Sequence, residues 1–228
     1  MFNYSSTYRN GPTVMHDTRP TVIVVDDDVS TREGLEALLD AAGMAVRSFG
    51  SASAFLSWAP PPGPACLILD VSLPDLNGLD IQERIAGERP EMPIIFITGY
   101  GDIPMTVRAM KAGAVEFLTK PLSEDVLLAA VERALEASRV AVEEKADLGS
   151  IQQCYASLSP RERQVLALVV SGLLNKQVGW ELGISEITVK AHRGRVMEKM
   201  SASSFADLVK MSARLELEIP PPRTSVSN

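Results

Sequence analysis

A chain of 228 residues suits one or two domains. At 46% hydrophobic and 22% charged it can bury sizeable cores, which excludes global disorder. No apolar run approaches the roughly 18 residues that a membrane helix needs. Residues 1–19 are polar, without an apolar signal segment, so a cytoplasmic protein is expected, with Met15 a candidate alternative start. Cys66 and Cys154 stand alone in different regions, which argues against a disulfide or a zinc site and for a reducing compartment. The net charge of −7 is unevenly spread: residues 20–123 carry −7, 124–157 carry −4 and 158–216 carry +3. An acidic front and a mildly basic back predict two domains with different partners.

After a tail expected to be flexible (1–19), the front half alternates β-like runs with helix-length stretches. "TVIVV" (21–25), "AVRSF" (45–49), "CLILD" (66–70), "PIIFIT" (93–98) and "AVEFLT" (114–119) read as strands. Several are apolar throughout, as strands covered on both faces must be. Helical patterns lie between them, such as 31–42 with Leu35, Leu38 and Leu39, and 79–85; "APPPGPA" (59–65) reads as a turn-rich connection. This alternation predicts an α/β domain over 20–138, a parallel sheet with helices on both faces; in the flavodoxin-like doubly wound order 2-1-3-4-5 its first and third strands are neighbours where the strand order reverses. A long amphipathic pattern with Leu127, Leu128, Val131, Ala134 and Leu135 closes it and runs into a helical linker (139–157), with Gly149 and Ser150 expected to interrupt the helix.

From 158 to 216 no strand alternation remains, and four short helices are expected. "SPRE" sets Ser159 at an N-cap, Pro160 at N1 and Glu162 at N3, a capping box. Gly172 and Gly183 read as stops, with Asn175 and Ser185 as the caps that follow them. The last helix carries Phe205, Leu208, Val209, Ser212 and Leu215 on one stripe, and "PPP" (220–222) ends it, leaving 217–228 as a flexible tail. Trp58 and Trp180 read as packing residues.

"TVIVVDDDVST" ends the first strand on three consecutive carboxylates. In a parallel sheet the carboxyl ends of the strands meet at the point where strand order reverses. Asp26 and Asp27 follow the first strand and Asp70 ends the third, so the three share one pocket, and their repulsion calls for a cation. Oxygen ligands on rigid strand ends suit Mg²⁺, which keeps waters and accepts a phosphate. Thr98 adds a hydroxyl and Lys120 a positive charge, a set able to receive a phosphoryl group on a carboxylate. Asp28 is expected to N-cap the next helix instead.

"VVDDD", "LILDVSLPDLNGLD", "FITGYGD" and "FLTKPL", in this order and spacing, resemble the receiver domains of two-component response regulators over about 21–138. The resemblance implies Asp70 as phosphoacceptor, Asp26, Asp27 and the backbone carbonyl of Ser72 as further Mg²⁺ ligands, Thr98 and Phe117 as a switch pair, and Lys120 as phosphate partner. The rival is a haloacid-dehalogenase-like phosphohydrolase with a helical interaction tail. That chemistry wants a second carboxylate two residues after the nucleophile, where this chain has Ser72.

"LSPRERQVLALVVSGLLNKQVGWELGISEITVKAHRGRVMEKM" resembles the LuxR/NarL-type helix-turn-helix over about 158–215, and the whole chain resembles FixJ-type transcription regulators. Gly179, where that family usually has alanine, and Tyr100, where it often has histidine, depart from the pattern. Val189, Val196 and Met200 make a buried stripe along the helix 185–200; Ile187, Lys190, Ala191, Gly194 and Glu198 face away, with Arg195 beside them. Lys190 and Arg195 can reach guanine edges or phosphates, and Ala191 a thymine methyl. Gly194 either admits a close approach of DNA or is neutral. His192 and Arg193 flank the stripe, His192 with a packing or phosphate role and Arg193 near the edge of the helix, where it is expected to meet phosphate. The alternative for this region is a protein-interaction module.

Together these imply a DNA-binding transcription regulator, not an enzyme, phosphorylated by a sensor histidine kinase, with double-stranded DNA and RNA polymerase as partners and no membrane. Phosphorylation is expected to pair two receivers through Val107, Met110 and Lys111 near Phe117, and two tails through Phe205, Leu208 and Val209. The helix near 124–147 transmits the change or only tethers.

Overall fold

The computed structural model describes residues 20–60, 62–99, 101 and 103–217. The expected features at the N-terminal tail, Met15, Tyr100 and the C-terminal "PPP" lie outside these residues. The chain divides into two compact units, Met1–Val142 and Glu143–Asn228. Among the described residues no helix is long and apolar enough to cross a membrane.

In the first unit, β1 (Thr21–Val25), β2 (Ala45–Phe49), β3 (Ala65–Asp70), β4 (Ile94–Thr98) and β5 (Glu116–Thr119) form one parallel sheet in the order β2-β1-β3-β4-β5. The helices are α1 (Val29–Ala41), α2 (Ala52–Leu56), α3 (Gly78–Glu88), α4 (Ile103–Lys111) and the first part of α5 (Glu124–Ala156). β3 and β4 are buried at every residue because both of their faces are apolar. Alternate side chains feed two cores. Ile23, Val25, Leu67, Leu69 and Phe96 pack with Phe55, Ile81 and Ile85 of α2 and α3. Val22, Val24, Cys66, Ile68, Ile95 and Ile97 pack with Leu35 and Leu39 of α1 and Leu127, Val131 and Ala134 of α5. Each fully buried aliphatic side chain contributes about 1.5–3 kcal/mol. Trp58 joins the first core, its ring 5.3 Å from Phe49. Asp28 N-caps α1, accepting from the Ser30 amide at 2.8 Å, as expected.

Helix α5 is continuous through Gly149 and Ser150, contrary to the expected interruption. A helical glycine costs only about 1 kcal/mol, the flanking Glu, Ala and Lys are strong helix formers, and the Ser150 hydroxyl bonds back to the Ala146 carbonyl at 3.1 Å. Nearer the sheet, the buried Ser138 hydroxyl donates to the Glu91 carbonyl at 2.6 Å and accepts from the Ala65 amide at 3.0 Å.

The second unit adds α6 (Pro160–Val170), α7 (Asn175–Leu182), α8 (Glu186–Lys199) and α9 (Phe205–Arg214). The Ser159/Glu162 capping box is present. The N-cap of α7 is Leu174 rather than Asn175, and its amide donates to the Gln177 side chain at 2.8 Å. Asn175 is released from capping because its amide oxygen holds Arg193 at 3.0 Å. Gly183 ends α7 in the left-handed conformation, φ 65°, and Ser185 caps α8. A Cβ on Gly179 would stand 2.7 Å from the Ile184 carbonyl oxygen, so the turn between α7 and α8 closes against bare backbone.

Candidate functional site

The end of β1, the end of β3 and the residue after β5 converge. Asp26 and Asp70 are buried and Asp27 is exposed. One carboxylate oxygen from each lies within 4.8 Å of the others. Lys120 Nζ donates to Asp26 Oδ2 at 2.7 Å and to Asp70 Oδ2 at 2.8 Å. The remaining oxygens accept from backbone: Asp28 N–H to Asp26 Oδ1 and Ser72 N–H to Asp70 Oδ1, both 2.8 Å. Burial pushes the Asp26 carboxyl above its ordinary range, against the bonds from Lys120 and the Asp28 amide. Burial also works against the Lys120 charge, but its bonds to Asp26 and Asp70 outweigh that and raise its pKa. Three carboxylates against one ammonium leave an excess negative charge, and an all-oxygen donor set suits a hard divalent cation such as Mg²⁺.

Thr98 is buried at the end of β4, and its carbonyl accepts from the Lys120 amide at 2.8 Å. Phe117 is half-buried, its ring 6.1 Å from that of Phe96 beneath the site. On α4, Val107 and Met110 are each 43% exposed, and Lys111 is exposed.

Several supporting residues were not singled out from the sequence. Arg32 Nη1 donates to the Asp26 carbonyl at 2.7 Å and holds the acidic loop from behind. Asp75 accepts from the Ala52 and Ser53 amides at 3.2 and 2.9 Å, tying the loop after Asp70 to the start of α2. Gly78 lets α3 begin close to β3: a Cβ there would lie 2.9 Å from the Asp70 carbonyl oxygen. "PDLNG" was the available signal for the last two; nothing in the sequence pointed to Arg32.

In the second unit Val189, Val196 and Met200 are fully buried, as phased. Ile187, Lys190, Ala191, Gly194, Arg195 and Glu198 are exposed. Lys190 pairs with Glu186 at 3.1 Å, one turn back. Arg193 is engaged within the domain: besides Asn175, its guanidinium lies 4.9 Å from the centre of the Phe205 ring. It thereby joins α7, α8 and α9. His192 is half-buried, and its Nδ1 has no hydrogen-bond partner among the described residues.

Two expectations are corrected. Leu208 is fully buried against Ile151, Leu158, Leu166, Val196 and Met200, so it serves its own core; of the three tail residues expected at an interface, only Phe205 and Val209 reach the surface. Trp180 is 74% exposed rather than packed, because the inward face of α7 is taken by Val178 and Gly179.

Residues 22–132 match the response regulator receiver domain family, and residues 156–212 match the bacterial regulatory proteins of the luxR family. The chain is 50% identical to nodulation protein W of Bradyrhizobium diazoefficiens over 198 residues, 87% of each chain. It is 43% identical to the transcriptional regulatory protein FixJ of Rhizobium meliloti over 192 residues, 84% of this chain and 94% of that one. The solved structure of the response regulator StyR matches with a TM-score of 0.76 and 47% identity, covering 86% of this chain and 99% of the other. These relatives and both family matches favour the regulator reading over the phosphohydrolase one. An acidic, lysine-bridged receiver site and a helix-turn-helix on one chain make this protein a member of the FixJ-type response regulators, phosphorylation-controlled DNA-binding transcription regulators.

Proposed function

We propose that Asp70 accepts a phosphoryl group from a sensor histidine kinase and that the modification drives pairing of the protein on promoter DNA. The observation that carries this is the Lys120 ammonium bridging Asp26 and Asp70 at 2.7 and 2.8 Å in a buried acidic pocket. An Asp70 carboxylate oxygen attacks the phosphorus of a phosphohistidine; a P–O bond forms, the P–N bond breaks, and its electron pair returns to the imidazole. Asp26, Asp27 and Asp70, with the Ser72 carbonyl, would hold Mg²⁺, which when bound neutralises charge on the phosphoryl oxygens. Lys120 turns from the carboxylates to the phosphoryl group, the Thr98 hydroxyl follows, and Phe117 fills the space behind it.

That movement reshapes the α4 surface around Val107, Met110 and Lys111, where two receivers pair, while Phe205 and Val209 complete a tail interface. On this reading residues 20–138 form the receiver, 139–157 the linker and 158–216 the DNA-binding domain, acting in the cytoplasm with RNA polymerase and without turnover of other substrates. Lys190 and Arg195 meet bases or phosphates, with Ala191 and Gly194 between them; His192 and Arg193 support the helix from within. Treatment with acetyl phosphate and Mg²⁺ should add one phosphoryl group by mass, and neither Asp70→Asn nor the chelated wild type should be modified. An Asp70→Asn protein that still gains the mass would move the acceptor elsewhere.

A further inference from the structure

We infer that Ile187 is a specificity-determining residue that reads the 5-methyl group of a thymine in the major groove. This rests on the reading of α8 as the DNA-contacting helix. Ile187 is the second residue of α8, in the turn that a recognition helix presents deepest to base edges. Its side chain is 81% exposed, a large aliphatic group with no part in either core of the domain. With Val189 and Val196 buried, the 3.6-residue repeat sets Ile187, Ala191, Gly194 and Glu198 along the centre of the opposite face. Around Gly194 even an added Cβ would meet nothing within 4 Å. From Ile187 to Gly194 the centre of this face is therefore low and uncharged, with Ile187 as the large projection there; Glu198 brings a charge only at the far end of the helix.

Lys190 and Arg195 stand on either side of that line, and both are exposed. A surface that is apolar along its centre from Ile187 to Gly194 and cationic on both flanks complements a groove with phosphates on its rims and base edges on its floor. On that floor the thymine C5-methyl is the apolar group that a branched aliphatic side chain can cover. Lys190 is tethered to Glu186 on the same turn, which keeps its charge to one side of Ile187. The occupant is thus duplex DNA with a thymine at the step facing the first turn of α8.

The test uses the full-length protein with acetyl phosphate and Mg²⁺. A preferred duplex is selected from a randomised pool, and each thymine in it is replaced singly by deoxyuridine, which removes the methyl and leaves the base pair. At one position per half-site the wild type should bind the uracil duplex about fourfold more weakly, the worth of one buried methyl. Ile187→Ala should bind the thymine duplex that much more weakly and no longer distinguish the two. Because Ile187 is exposed, the variant should melt with the wild type. Indifference of the wild type to uracil at every position would overturn the assignment, as would an Ile187→Ala protein that still discriminates. An unchanged uracil profile together with lost binding to RNA polymerase would place the side chain on a protein surface instead. Failure of the wild type to bind or enrich any duplex would overturn the DNA reading itself, and this assignment with it.

Discussion

Asp27→Asn should stabilise the receiver without Mg²⁺ and leave it the less stable protein with Mg²⁺. Asp26, Asp27 and Asp70 approach within 4.8 Å through one oxygen each, while Lys120 bonds only the other two. Asp27 is exposed, so a water-like dielectric applies, and each unit-charge pair at that separation is worth about 0.9 kcal/mol. Two such repulsions, about 1.7 kcal/mol together and partly offset by the Lys120 charge that Asp26 and Asp70 hold between them, leave on the order of 1 kcal/mol that the neutral amide relieves. For a domain of this size that raises the melting temperature by about 4 °C in chelator. A divalent ion at a hundred times its dissociation constant stabilises the wild type by about 2.7 kcal/mol, and the variant, short of a ligand, gains less. The order of melting therefore inverts. Tryptophan fluorescence of the intact chain isolates the receiver, because Trp58 is packed on Phe49 whereas Trp180 is already 74% exposed. The same order in chelator and in Mg²⁺ would refute the reasoning.

Glu162 is held by Lys199 at 2.7 Å and by the Ser159 amide at 2.8 Å, which lower its carboxyl to about 2. Its folded pKa lies below its unfolded value of 4.5, so the stability it contributes is present above pH 4.5 and is lost as pH falls toward 2; in acid melts Glu162→Gln should decline less steeply over that range than the wild type. Gly78→Ala must fit a Cβ 2.9 Å from the Asp70 carbonyl oxygen and 3.1 Å from the Phe96 ring, so it should cost about 1–3 kcal/mol in urea unfolding and slow labelling by acetyl phosphate. Lys190→Ala should lose about 1–3 kcal/mol on a preferred duplex and relax preference at one base pair, measured by competition binding. Arg193→Ala should instead leave the salt dependence of DNA binding unchanged, because its charge is engaged by Asn175 and Phe205; a slope reduced by about one unit would return it to the phosphates.

The receiver was legible because its signals are covalently local. Apolar runs of four or five residues ending in Asp or Thr mark both a buried strand and the group at its mouth, and the flavodoxin-like order then brings those mouths together. Helix α8 could be phased for the same reason: Val189, Val196 and Met200 repeat at helical spacing. What escaped was set by contacts distant in sequence. Arg32 reads as one more helical cation until β1 lies beside it, and Arg193 as an edge cation until Asn175 and Phe205 arrive from two other helices. Leu208 and Phe205 share one apolar stripe in the sequence, and only packing separates the buried member from the exposed one. Helix α5 is a different case: Gly149 and Ser150 are weak breakers taken singly, whereas helix formation is cooperative across the strong formers around them.

The two thiols differ in a way that gives the molecule its own opening gauge. Cys66 sits in the middle strand of the sheet with no exposed surface, and burial pushes its thiol up to about 12. Thiolate reagents can modify it only when β3 leaves its neighbours. Cys154, near the end of α5, is half-buried and needs no such event for reagent to approach. A maleimide added to the native protein therefore marks Cys154 first. The slower second addition counts excursions of the receiver out of its folded state, and saturating phosphodonor should lengthen that interval without altering the first.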